Sequence, residues 1–175
     1  MQERPDTLLR ATRLVLMLTM AVAALVGLAM LLAIPFVWVF SSKVVVAAAE
    51  NGFRLSGNDA SLAISSLLGA GLLLVGLAFL FLRKLVAIID SVGQGSPFVP
   101  ENAARLRAMG WIALAFQLLS LLAAPAELWL ARVVPGSHVQ VSFSFSGLIV
   151  ALLLFVLARV FDHGTRLAED VEGTV

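Results

Sequence analysis

The stretch from Leu14 to Phe40 carries no charged residue, and this one feature limits the chain more than any other. A helix needs roughly 20 apolar residues to cross about 30 Å of hydrocarbon, and this run exceeds that length. Three further runs follow: Ala60 to Leu82, Trp111 to Ala131 with the single acid Glu127, and a shorter one from Gly147 that meets Arg159. The last reaches spanning length only if its helix starts near Val139 or if Arg159 extends its guanidinium to the headgroups. Composition agrees, since 61% of the 175 residues are hydrophobic and 13% charged, about half the charged share of a soluble domain. The expected fold class is therefore an all-α membrane protein, a bundle of four transmembrane helices at about 14–40, 60–82, 100–131 and 146–161 in one integral membrane domain.

A cleaved signal is the rival reading of the first run, because Arg4, Arg10 and Arg13 precede it and Ala47 to Ala49 resemble a cleavage site. The apolar core of a signal should span 7 to 15 residues, so the length argues for a retained helix. Basic residues then set the orientation. Arg4, Arg10, Arg13, Arg83, Lys84, Arg105, Arg107, Arg159 and Arg166 fall on one side, against Lys43, Arg54 and Arg132 on the other. The positive-inside rule places both termini and the 83–99 loop in the cytoplasm, with a cytoplasmic tail over 162–175.

The outer loops, 41–59 and 132–145, carry strand signals. In "HVQVSFSFSG" Val139, Val141, Phe143 and Phe145 alternate with polar residues, and Asn51-Gly52 marks a turn in the first loop. The pattern admits a small extracytoplasmic β-ribbon, with the strand ending near Phe145 and the fourth helix starting at Ser146.

The connector "DSVGQGSPFVPENAARLRAMGW" differs from everything around it. Gly93 and Gly95 loosen the backbone, Pro97 stiffens the turn, and Phe98 packs back on the bundle or the membrane interface. Pro100 suits the first position of a helix because its missing N–H would be unpaired there. Glu101 favours the positive end of the helix dipole and can pair with Arg105 one turn on. Arg105 and Arg107 lie about 200° apart around a helix, so they fan rather than form a basic stripe, and no direct nucleic-acid binding is expected. No phosphate-binding glycine pattern occurs in this connector.

Other chemistry is sparse. Glu127, with Gln117 and Ser120 on the same run and Pro125 freeing carbonyls nearby, is the best intramembrane polar site, though an ion pair with Arg132 or Arg54 is the simpler explanation of its place there. Pro35 and the small residues Ser65, Gly69, Gly71 and Gly76 mark kinks and close helix packing. His138 and His163 stand alone and cysteine is absent, so the chain offers no catalytic group, cofactor site or metal site, and an enzyme is not expected.

The order Gly95, Pro97, Phe98, Glu101, Asn102, Arg105, Leu106, Arg107, Gly110, Trp111 resembles the signature of a bacterial family known as domain of unknown function 2975. The ending "ARVFDHGTRLAEDVEGTV", with Gly164, Leu167, Glu169, Asp170, Thr174 and Val175, resembles that family's C-terminus, and the likeness extends over nearly the whole chain. The resemblance implies a small four-helix inner-membrane protein, with genes often paired with a small helix-turn-helix regulator. Two functions follow as expectations. In one, the connector and tail dock such a regulator at the membrane. In the other, the outer half of the bundle around Glu127 and Gln117 binds or transports a lipid or small molecule. Both leave room for a homo-oligomer.

Overall fold

A computed structural model of the chain describes residues 7–50, 57–133 and 145–172. Five helices follow in order: α1 Thr7–Val39, α2 Ser41–Glu50, α3 Gly57–Gly93, α4 Pro100–Val133 and α5 Phe145–Glu172. Among the described residues there is no strand. α1, α3, α4 and α5 each contain a stretch long and apolar enough to cross a membrane. The four expected spans are all present, and the chain is a multi-pass membrane protein.

Three boundaries differ from the sequence reading. The connector expected over 83–99 is helical to Gly93, because Leu85 and Ile88 continue the inward-facing apolar positions past the charged pair Arg83-Lys84. The tail expected from 162 is helical to Glu172, since Phe161, Thr165 and Ala168 keep the helical spacing of packed positions. The first outer loop begins with α2, whose Val-Ala run has no period-two alternation to favour a strand. The ribbon residues Asn51-Gly52 and 139–144 lie outside the described residues, and Phe145 opens α5 one position ahead of the expected Ser146.

The chain forms two compact units, and α1, α3 and α4 contribute to both. Unit 1 comprises residues 1–23, 77–116 and 145–175. Its core joins Ile88 of α3, Leu106 and Met109 of α4 and Ala158 of α5, flanked by Phe81, Leu85, Leu154 and Phe161. Small buried residues recur every seven positions, Ala103 and Gly110 on α4 and Ala151, Ala158 and Thr165 on α5, a spacing that keeps one face turned to a neighbouring helix. The fit at Gly110 is close: a Cβ there would lie 2.9 Å from the Phe155 ring.

Unit 2 comprises residues 24–76 and 117–144. Val75 and Leu72 side chains of α3 lie over Gly27 of α1, and the Met30 side chain covers Gly71. Gly71 is thus a close-packing position, as its sequence context suggested. Among the described residues, a Cβ added at Gly69 or Gly76 would meet nothing within 4 Å. Pro125 and Pro35 are accommodated inside α4 and α1. Across both units many large apolar side chains are exposed, among them Leu14, Leu18, Leu25, Leu32, Leu73, Leu122 and Leu153, as a lipid solvent requires.

Candidate functional site

The 90–111 connector is resolved by unit 1 into a tight turn with a polar clamp beneath it. At the end of α3 the Gln94 amide donates to the Asp90 and Ser91 carbonyls, Gly95 N–H to Val92, and Ser96 N–H back to Ser91. Closing this turn puts Gly95 at φ 81°, a left-handed conformation that an L side chain adopts only at a cost. Pro100 begins α4, as its missing N–H favours, and the Asn102 amide closes the first turn on the Val99 carbonyl at 3.0 Å.

Asn102 is the centre of the arrangement and is fully buried. Its Nδ2 donates to Ser91 Oγ at 2.6 Å and to the Pro97 carbonyl at 2.9 Å. Its Oδ1 accepts from Arg105 Nη1 at 2.7 Å, and the same nitrogen donates to the Ala87 carbonyl at 3.1 Å. Ser91 Oγ in turn donates to the Ile88 carbonyl at 2.7 Å. One carboxamide therefore ties the last turns of α3, the loop and the first turn of α4 together, with both of its polar atoms used.

This changes the reading of the signature. Arg105 does not turn to Glu101, because buried acceptors on α3 and Asn102 give it better desolvated partners than an exposed carboxylate. Glu101 stays exposed in the first turn of α4. Leu106 is buried in the core and Gly95 shapes the turn, so most of the signature builds the fold. The fanning of Arg105 and Arg107 has a consequence: Arg105 reaches α3, whereas Arg107 is exposed and lines a groove with residues of α5.

Phe98 links the two signature stretches. Its ring lies 5.5 Å from that of Phe161, and it covers Gly164 so closely that a Cβ there would be 2.7 Å from Phe98 Cδ1. Gly164 is needed for this contact. The connector and the helical tail, each expected at the same end of the protein, are in direct contact, with Glu169, Asp170 and Leu167 exposed on the tail beyond it. A second link, Arg13 Nε to Asp90 Oδ1 at 3.0 Å, joins the start of α1 to the end of α3. Nothing in the sequence pattern singled out that pair, since Asp90 sits 77 positions from Arg13 and only helix packing brings them together.

The intramembrane candidates stay apart from this cluster. Gln117 is half-buried on α4 and hydrogen-bonded or otherwise engaged, while Ser120 is exposed. Glu127 lies on α4, but its side chain is outside the described residues, as are those of Arg54 and Arg132. His163 is exposed on α5. His138 lies outside the described residues. Among the described residues no three His, Asp or Glu side chains come together as a metal ion would require.

Residues 56–175 match the family whose description reads "Protein of unknown function (DUF2975)". The match is shorter than the whole-chain likeness suggested by the sequence, and it includes both the connector and the tail. No curated protein and no solved structure matches the chain.

Proposed function

The chain belongs to the DUF2975 family, and from that premise we propose that it is a non-enzymatic regulatory protein of the bacterial inner membrane that docks a cytosolic partner. The observation that carries this reading is the junction of connector and tail. Phe98 against Phe161 and Gly164 gives the two stretches that bear the family signature one shared, ordered end. An acidic helical end with exposed Glu169, Asp170 and Leu167 suits a partner with a basic, partly apolar surface. A small helix-turn-helix regulator, the partner implied by the family resemblance, has that chemistry. The described basic residues of the N-terminus, of α3 and α4 near the connector, and of α5 all belong to unit 1, which supports a cytoplasmic face there and cytoplasmic termini.

The test is capture of a small helix-turn-helix regulator, of the kind the family resemblance implies, by the detergent-solubilised full-length protein. Binding should weaken about tenfold, roughly 1.4 kcal/mol, in the variant Leu167→Arg, Glu169→Lys, Asp170→Lys. Equal capture by wild type and variant, or none by wild type, overturns the docking reading. A copurifying small apolar molecule lost on Glu127→Gln would favour the binding or transport reading instead.

A further inference from the structure

We infer that the groove between α4 and α5 in unit 1 binds the phosphate of an anionic phospholipid, with Arg107 and Arg159 as its two prongs. The contacts of α4 and α5 fix the geometry. Trp111 of α4 and Phe155 of α5 meet edge to face, with ring centroids 5.5 Å apart and planes at 76°. Phe98 contacts Phe161 and Gly164 further along, so α4 and α5 run antiparallel. Arg107 precedes Trp111 by four residues and Arg159 follows Phe155 by four. Both guanidinium-bearing residues therefore sit one helical turn, about 6 Å, beyond the aromatic pair and toward the same end.

The two arginines line a single groove of about 360 Å³, walled by Phe155 and Ala158 and extended by Asp162, His163 and Arg166. That volume lies within the range of small-ligand sites. Its charge is unbalanced, with three guanidinium groups facing one carboxylate. Asp162 is engaged by Arg166 at 3.2 Å, and among the described residues no carboxylate pairs with Arg107 or Arg159. Planar guanidinium groups are suited to phosphate oxygens, which they bind bidentately.

The surroundings select a lipid over a free anion. Trp111 is 64% exposed, and an exposed indole one turn from two arginines suits the boundary between headgroups and acyl chains. From Phe155 toward the start of α5 the same helix face continues as exposed Leu152 and Leu148, an apolar track for an acyl chain. A phosphate between the arginines would thus have its glycerol and chains over the aromatic pair. Basic pockets between membrane helices recognise acidic headgroups in this manner. The site is distinct from the docking surface at Leu167, Glu169 and Asp170, and neither depends on the other.

The experiment is an anisotropy titration of fluorescently labelled phosphatidylglycerol with the detergent-solubilised full-length protein, with labelled phosphatidylcholine as comparison. Phosphatidylglycerol should bind about tenfold more tightly than phosphatidylcholine, and the pair Arg107→Gln, Arg159→Gln should abolish that preference. Arg107→Lys with Arg159→Lys keeps the charge but loses the fork, and should retain an intermediate preference of about threefold. Arg10→Gln, an arginine outside the groove, should leave binding unchanged. Equal affinity of wild type and the Gln pair overturns the site, and so does equal affinity for the two lipids. Displacement of phosphatidylglycerol by millimolar inorganic phosphate overturns the lipid assignment in favour of a free anion. Circular dichroism reports whether the Gln pair keeps its helices. If it does not, the Lys pair decides, and an affinity and lipid preference equal to wild type in that pair overturns the two-prong assignment.

Discussion

Unit 1 and unit 2 are made from the same apolar composition but are held together differently. In unit 1 large side chains interlock with a buried polar clamp, and Asn102 alone joins three consecutive segments through directed hydrogen bonds. In unit 2 α1 and α3 meet through side chains over glycine, Val75 on Gly27 and Met30 on Gly71, and beside them Ser61 is buried and engaged while Ser65 Oγ is buried with no partner among the described residues. Lipid supplies no hydrophobic drive between helices, so shape and polar contacts must hold the units. The lesson is that specificity is concentrated where polar groups are buried and satisfied. Unit 1 is pinned by directed hydrogen bonds, whereas the α1–α3 contacts of unit 2 rest on the ends of side chains packed over glycine.

The sharpest way to break this contrast is Asn102→Ala. It removes the two donors to Ser91 and Pro97 and the acceptor of Arg105, and should cost roughly 2–4 kcal/mol in denaturant titrations followed by circular dichroism. A loss below about 1 kcal/mol would show the clamp to be incidental. The contrast is sharpened next by paired glycine substitutions. Gly110→Ala drives a Cβ to 2.9 Å from the Phe155 ring and should destabilise by about 1–2 kcal/mol after alanine's helix preference is credited. Gly71→Ala meets only the flexible end of Met30 at 3.2 Å, and its stability should stay within about 1 kcal/mol of wild type. Equal effects at the two sites would remove the distinction between the units. The smallest effect is expected from Asp90→Asn, which breaks a partly exposed ion pair with Arg13 and should cost about 0.2–1 kcal/mol, a difference that shrinks as salt is added.

The four spans were legible because the bilayer's thickness imposes a length that charge-free runs such as Leu14 to Phe40 satisfy. Helix ends were less legible. A membrane fixes where apolar sequence must stop, but a helix continues wherever its inner face still has neighbours, as Leu85 and Ile88 do on α3 and Phe161 and Thr165 on α5. The connector's turn, its Gly95 and the Pro100 helix start were readable from backbone preferences alone. The role of Asn102 was not, because a lone Asn in the first turn of a helix is ordinarily a solvated polar residue, and only burial against Ser91 and Pro97 makes it a keystone. For Arg105 and Arg107 the angular separation was visible, but which neighbour each would meet depended on the placement of α3 and α5. The groove itself was invisible for the same reason, since Arg107 and Arg159 are brought together by antiparallel packing and not by spacing.

The reach of the clamp has a further consequence for how the protein is made. Its bonds join Asn102 to residues 11 and 5 positions back, and the longest, from Arg105 to Ala87, closes 18 residues. None involves α5. A chain synthesised from its N-terminus therefore has every donor and acceptor of the α3–α4 hairpin in hand before residue 145 has left the ribosome, and short loops close quickly and at small entropic cost. The clamp bonds of the hairpin therefore need nothing from α5, and α5 in turn meets the hairpin where Phe98 covers Gly164.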